Sequence, residues 1–96
     1  MEFAWDPAKA QSNFRKHRVS FPLAITVFDD PNALIAPDPK HAEAEPREWI
    51  IGESDQGVLV VVFVRREGGS VYRIISARRA NRRERKLYEE FRKLPL

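Results

Sequence analysis

The run VLVVVFV, residues 58–64, admits few architectures. Seven consecutive apolar residues lack the two-residue alternation of a strand with one wet face, and they are far too few to cross a bilayer. The run predicts a strand at the centre of a sheet with both faces covered. Turn signals punctuate it on either side, Asp55-Gln56-Gly57 before and Glu67-Gly68-Gly69-Ser70 after. They predict an antiparallel meander of strands over 48–54, 58–66 and 71–78.

What covers that sheet must come from the two ends of the chain. Residues 3–5 read as a short strand, and Asp6-Pro7 opens a first helix running to about His17, because Asp accepts from free amides and Pro in the first turn loses no hydrogen bond. Ser20 caps a second helix whose Phe21, Ala24, Ile25 and Phe28 follow the i, i+3, i+4, i+7 rule; Asp29-Asp30-Pro31 ends it. Residues 31–46 hold four prolines and read as a loop-rich connection with a short strand over 33–36. A last helix spans about 81–94, with Asn81 and Glu84 in a capping box. Its apolar stripe is Ala80, Leu87, Phe91 and Leu94; Arg82, Arg85, Lys86, Arg92 and Lys93 lie opposite, and Tyr88 sits on the border. The expected fold is α+β over a single domain, 1–96: two N-terminal helices and a C-terminal helix on an antiparallel sheet of three to four strands, with a short N-terminal strand.

Charge is distributed unevenly along this order. The chain's net charge is +3, yet residues 73–93 hold nine basic and three acidic side chains, a net of +6, which leaves −3 for the remainder. A local excess of this kind points to a polyanionic partner. The absence of cysteine removes disulfide and thiolate chemistry, and with an N-terminus unlike a signal peptide it leads us to expect a cytoplasmic protein without membrane contact. Arg73, Arg78 and Arg79 leave the last strand while Arg82, Arg83, Arg85 and Lys86 enter the helix, so guanidinium groups gather at one junction suited to phosphate. The plainer alternative is a solvated helix face. Strict strand alternation puts Arg73 and Arg78 on opposite faces.

No metal or cofactor is expected. His17 and His41 are the only imidazoles, the pairs Asp29-Asp30 and Glu43/Glu45 lack ligand spacing, and Gly68-Gly69 falls in a hairpin turn, not ahead of a helix. Chemistry that needs neither remains open. RNA cleavage by the ribose 2′-hydroxyl carries its nucleophile in the substrate and asks only for charge stabilisation and proton transfer. Arginine supplies the first; Tyr88, its pKa lowered by neighbouring cations, or His17 supplies the second. Each also has a plainer reading, Tyr88 as packing with a wet hydroxyl and His17 as a helix C-terminal residue on the dipole.

The combination of Trp5-Asp6, Lys16-His17 with Val19-Ser20-Phe21, Ile51-Gly52, and Arg73-Ile74-Ile75-Ser76-Ala77-Arg78 with Glu84-Arg85 and Tyr88 downstream resembles the BrnT toxins of bacterial type II toxin-antitoxin systems, similar in fold to the RelE/ParE superfamily. The resemblance implies a metal-independent endoribonuclease that inhibits translation. It also implies a BrnA-like ribbon-helix-helix antitoxin as partner, with operator DNA bound only by the toxin-antitoxin complex. On this reading Arg65, Arg78 and Arg79 meet the scissile phosphate, Tyr88 or His17 moves the proton, and Arg73 with the helix cations holds RNA. Two positions depart from the family pattern. Arg18 stands where relatives carry a left-handed Gly, so either the turn differs or a cost of roughly 1 kcal/mol is tolerated, and Val64 stands where a polar residue is common. The alternatives are a ParE-like, non-enzymatic toxin that docks protein through the basic helix, or a DNA-binding regulator. The latter is disfavoured because the last helix lacks a turn-linked partner helix.

Overall fold

A computed structural model describes residues 1–39 and 45–92; His41, Glu43, Lys93 and Leu94 lie outside the described residues. Five strands form one sheet, β1 (Glu2–Ala4), β2 (Leu34–Asp38), β3 (Arg47–Ser54), β4 (Gly57–Arg66) and β5 (Val71–Arg79), in the order β1-β5-β4-β3-β2. The apolar run therefore occupies the middle strand, as its composition requires. The sheet is mixed instead of wholly antiparallel, and it has five strands instead of three to four. The residues before Asp6 lie parallel to β5, with Phe3 beside Tyr72, which sets the partly buried Phe3 against the rings of Phe28 and Tyr72.

Helix α1 (Pro7–His17) starts where Asp6 accepts a hydrogen bond from the Ala8 amide at 2.8 Å. It ends at Arg18, which takes the left-handed conformation (φ 59°, ψ 27°) and donates its amide to the Phe14 carbonyl at 2.8 Å. The left-handed turn expected from a glycine is thus kept with Arg18, and the conformational cost is borne here. Ser20 caps α2 (Phe21–Ala24) through the Leu23 amide. The expected helix then tightens to a 3-10 turn over Ile25–Asp29: three successive β-branched residues disfavour the wider coil, and the Thr26 hydroxyl donates to the Leu23 carbonyl at 2.6 Å.

These elements cover the centre of one face of the sheet. On this closed face Val19, Phe21, Ala24 and Val27 pack on Ile50, Leu59, Val61, Phe63, Ile74 and Ala77, all essentially without solvent contact. Gly52 permits the approach: a Cβ there would stand 3.0 Å from both the Cβ and the carbonyl oxygen of Val27.

The other, open face is covered in part by α3 (Arg82–Arg92). Its capping box forms as expected, with the Glu84 amide donating to Asn81 Oδ1 at 2.8 Å and the Asn81 amide donating to Glu84 Oε1 at 2.9 Å. Its buried stripe, however, is not the expected one. Tyr88 is 1% exposed and packs with Ile51, Val60 and Ala80, whereas Leu87 and Phe91 are 39% and 51% exposed. Ala80, Glu84 and Tyr88, spaced by four, face the sheet because two polar anchors set the helix rotation. Glu84 is bound by Arg78, and the Tyr88 hydroxyl donates to Asp30 Oδ2 at 2.5 Å.

Candidate functional site

The placement of the basic residues follows from one irregularity in β5. Val62 pairs with Ser76 but Phe63 pairs with Ile74, so Ile75 is an extra residue, a bulge that resets the alternation. Arg73 opposite Val64 and Arg78 opposite Val60 consequently share the open face, which corrects the expectation that they point to opposite sides. Ser76 and Arg78 stand on that face as neighbours two residues apart.

Beside this half of β5 runs α1, fixed there by a buried asparagine. The Asn13 amide group donates to the carbonyls of Ala77 (2.9 Å) and Val19 (3.0 Å), and its oxygen accepts from the Ala77 amide at 3.1 Å. The side chain continues the ladder of a strand edge that β1 is too short to pair. His17, one helical turn after Asn13, is thereby delivered to the same edge, where it lines a concavity of about 190 Å³ with Lys9, Ser12, Lys16 and Ser76. Slight burial first, then the charges of Lys16 and Arg78, hold the His17 imidazole below its ordinary pKa of 6.5. Neutral imidazole beside fixed cations is a form that can accept a proton near neutral pH.

Arg78 stands between this concavity and a larger groove of about 440 Å³. Trp49, Ile51, Val60, Val62 and Leu87 line the groove, with Asp38, Pro39, Arg78 and Glu84 also contributing. The guanidinium makes a bidentate pair with Glu84, 2.7 and 2.8 Å, yet keeps 43% of its side-chain exposure. That hydrogen bond raises the Arg78 pKa against partial burial, and the same bond holds Glu84 below the usual carboxylate range despite its own burial. Glu84 thus sets the direction of Arg78 while tying down the α3 N-terminus.

Three expected site residues are elsewhere. Arg65, opposite Tyr72 and one residue out of phase with Val64, belongs to the closed face. It binds Glu48 through two contacts of 2.5 and 3.2 Å, donates to the Tyr72 hydroxyl at 2.7 Å and lies 4.9 Å over that ring. It caps the aromatic cluster and does not share a face with Arg78. Arg79, opposite Leu59, turns to the β3–β4 hairpin, where it donates to the Gln56 carbonyl and side chain at 2.7 and 3.1 Å. Tyr88 is the reverse of a base activated by cations. Burial, then the hydrogen bond and charge of Asp30, raise its phenol far above the ordinary value of 10. Of the helix cations, Arg85 donates to the Ala80 carbonyl, Arg83 and Lys86 border a shallow groove along α3, and Arg82 is exposed.

The structure therefore brings His17, Lys16, Ser76, Arg73 and Arg78 to one side of the sheet with Trp49. Lys16, Ser76 and Trp49 carried no signal as site residues: a lysine in a helix, a serine in a strand and a tryptophan in a meander each have ordinary structural uses, and only the bulge and Asn13 juxtapose them. Among the described residues no group of three or more His, Cys, Asp or Glu side chains gathers as a metal site would require, and no helix is long and apolar enough to cross a membrane.

Residues 5–84 match the family described as "Ribonuclease toxin, BrnT, of type II toxin-antitoxin system". No individual curated protein matches the chain.

Proposed function

Because the chain belongs to the BrnT family of ribonuclease toxins, we propose that its RNA-cleaving centre is the open-face cluster of His17 and Arg78, working without metal in a single domain over 1–96. The observation that carries this is the neutral-biased imidazole placed within electrostatic reach of an arginine that is oriented by Glu84 and still accessible. In this reaction the ribose 2′-oxygen bonds to the adjacent phosphorus, His17 takes the 2′-proton, and Arg78 compensates charge on the phosphorane oxygens. The bond from phosphorus to the 5′-oxygen then breaks, and that oxygen is protonated from solvent. The products are a 2′,3′-cyclic phosphate and a 5′-hydroxyl end. Arg73, Lys16 and the exposed cations Arg82, Arg83 and Lys86 extend the positive surface along which a phosphodiester backbone is held. Inhibition of translation follows from loss of RNA in the cytoplasm. A BrnA-like ribbon-helix-helix antitoxin supplies acidic and apolar groups over this surface, where Leu87 and Phe91 are exposed, and operator DNA is contacted by the complex.

The test is cleavage of RNA by the purified, antitoxin-free protein in EDTA. His17→Ala should lower kcat/KM by about 10²–10⁴-fold and Arg78→Ala by about 10²–10³-fold, with unfolding midpoints that show the fold retained. The acidic limb of the pH–rate profile should lie below 6.5, since the base works only when neutral, and should move up toward that value in Lys16→Ala. Undiminished cleavage by the His17 variant would refute the assignment.

A further inference from the structure

We infer that the groove beside Arg78 is a nucleobase subsite, in which Trp49 stacks on a base whose own backbone phosphate is held by Arg78. The inference rests on the placement of the cleavage centre argued above and adds a second kind of contact to it.

Four observations carry it. The groove is continuous with the centre, because Arg78 lines it and because Ser76, which lines the His17 concavity, is the cross-strand partner of Val62 in the groove floor. Its apolar lining includes Trp49 and Val62, both only partly covered although they lie on interior strands, beside the buried Ile51 and Val60. Its charged lining is Asp38, Glu84 and Arg78, of which Arg78 is already oriented by its bidentate pair with Glu84, so the groove joins apolar side chains to a phosphate donor. That is the pairing a nucleotide presents, with a flat π-faced base at one end and an anion at the other. Finally, α3 is rotated so that Tyr88, and not Leu87 or Phe91, meets the sheet. Leu87 borders the groove but stays 39% exposed and does not close it over Trp49. Stacking is tolerant of sequence, because every base offers a ring face. The subsite thus grips single-stranded or loop RNA, whose bases are free to leave their stacks, and rejects duplex.

Two probes that cannot undergo 2′-hydroxyl attack separate base from phosphate: a single-stranded oligodeoxynucleotide and an abasic phosphodiester oligomer of equal length. Bases should quench the tryptophan fluorescence of the wild-type protein, and Trp49→Phe should abolish that quenching while the Trp5 signal remains as baseline. Trp49→Leu should bind the oligodeoxynucleotide about tenfold more weakly, ~1.4 kcal/mol, with unaltered affinity for the abasic oligomer. If the leucine variant does not fold, the fluorescence comparison with Trp49→Phe still decides. Equal binding of both probes with unchanged fluorescence would overturn the base subsite, leave Arg78 as a phosphate site and mark the groove as a seat for polypeptide. Failure of both probes to bind, or abasic binding indifferent to Arg78→Ala, would instead remove the phosphate site and the subsite together.

Discussion

On the closed face the rings of Phe3, Phe28, Phe63 and Tyr72 lie with centroids 5.0 to 6.2 Å apart, and Leu59, Val61 and Phe63 of the central strand have no solvent contact. On the open face the same strand leaves Val58 and Val62 only partly covered, and the helix above them is attached through the buried ring of Tyr88, its hydrogen bond to Asp30 and ion pairs from Arg78 to Glu84 and from Arg92 to Glu53. The difference teaches what each side is for. Dense apolar packing is cumulative and supplies stability, whereas a face held by a few directional bonds keeps space and charge available. The arginines obey the same division. Arg65 on the closed side is consumed in capping rings and pairing with Glu48; Arg78 on the open side is paired yet reachable.

This contrast is vulnerable to substitution in a graded way. Phe63→Ala should destabilise the protein by about 3–5 kcal/mol, while Val62→Ala, one residue along the same strand, should cost under about 1 kcal/mol; similar losses in denaturant unfolding would erase the distinction between the faces. Tyr88→Phe should cost about 1–3 kcal/mol, because it removes the hydrogen bond that ties α3 to Asp30, which keeps the backbone amides of Asn32 and Glu53. The sign of its pH dependence is fixed. A phenol raised above its ordinary value of 10 stabilises the fold fully below that pH, and the contribution is lost as pH rises toward the folded-state value. The wild type should therefore lose stability above pH 10 by a component the phenylalanine variant lacks, readable in midpoints of urea unfolding. Arg18→Gly should stabilise by up to about 1 kcal/mol, relieving the left-handed residue at the end of α1 without touching activity. Smallest of all, Arg65→Ala should change RNA cleavage by less than about twofold and stability by about 0–1 kcal/mol, as befits a partly exposed ion pair. A large loss of cleavage would mean that the closed side takes part in the chemistry.

Much of the fold was legible in the residues. Asp6, Ser20 and the Asn81–Glu84 pair are short-range devices whose geometry depends on a few neighbouring atoms, and all three cap the helices they announce. The central strand was legible because an unbroken apolar run has no other stable use in a chain of this size. The candidate site was less so. His17 and Arg78 could be named, but nothing in the residue types of β5 announces an extra residue at Ile75, and strict alternation therefore misassigned Arg73. Periodicity likewise chose Leu87 and Phe91 for the buried side of α3. It weighs hydrophobicity alone, while the actual rotation is decided by two long-range polar bonds, from Tyr88 to Asp30, 58 residues earlier, and from Arg78 to Glu84. Asn13 illustrates the same limit: a mid-helix asparagine reads as neutral until the unpaired strand edge it completes is known.

The supernumerary Ile75 also bears on how chains of this kind can diverge. Loss of that one residue would leave a regular strand in which Arg73 and Arg78, then four positions apart, still share a side and Ala77 still faces the core. Descent can therefore shorten the segment at this point without turning its arginines over. The side the two cations share is a harder constraint than the number of residues between them.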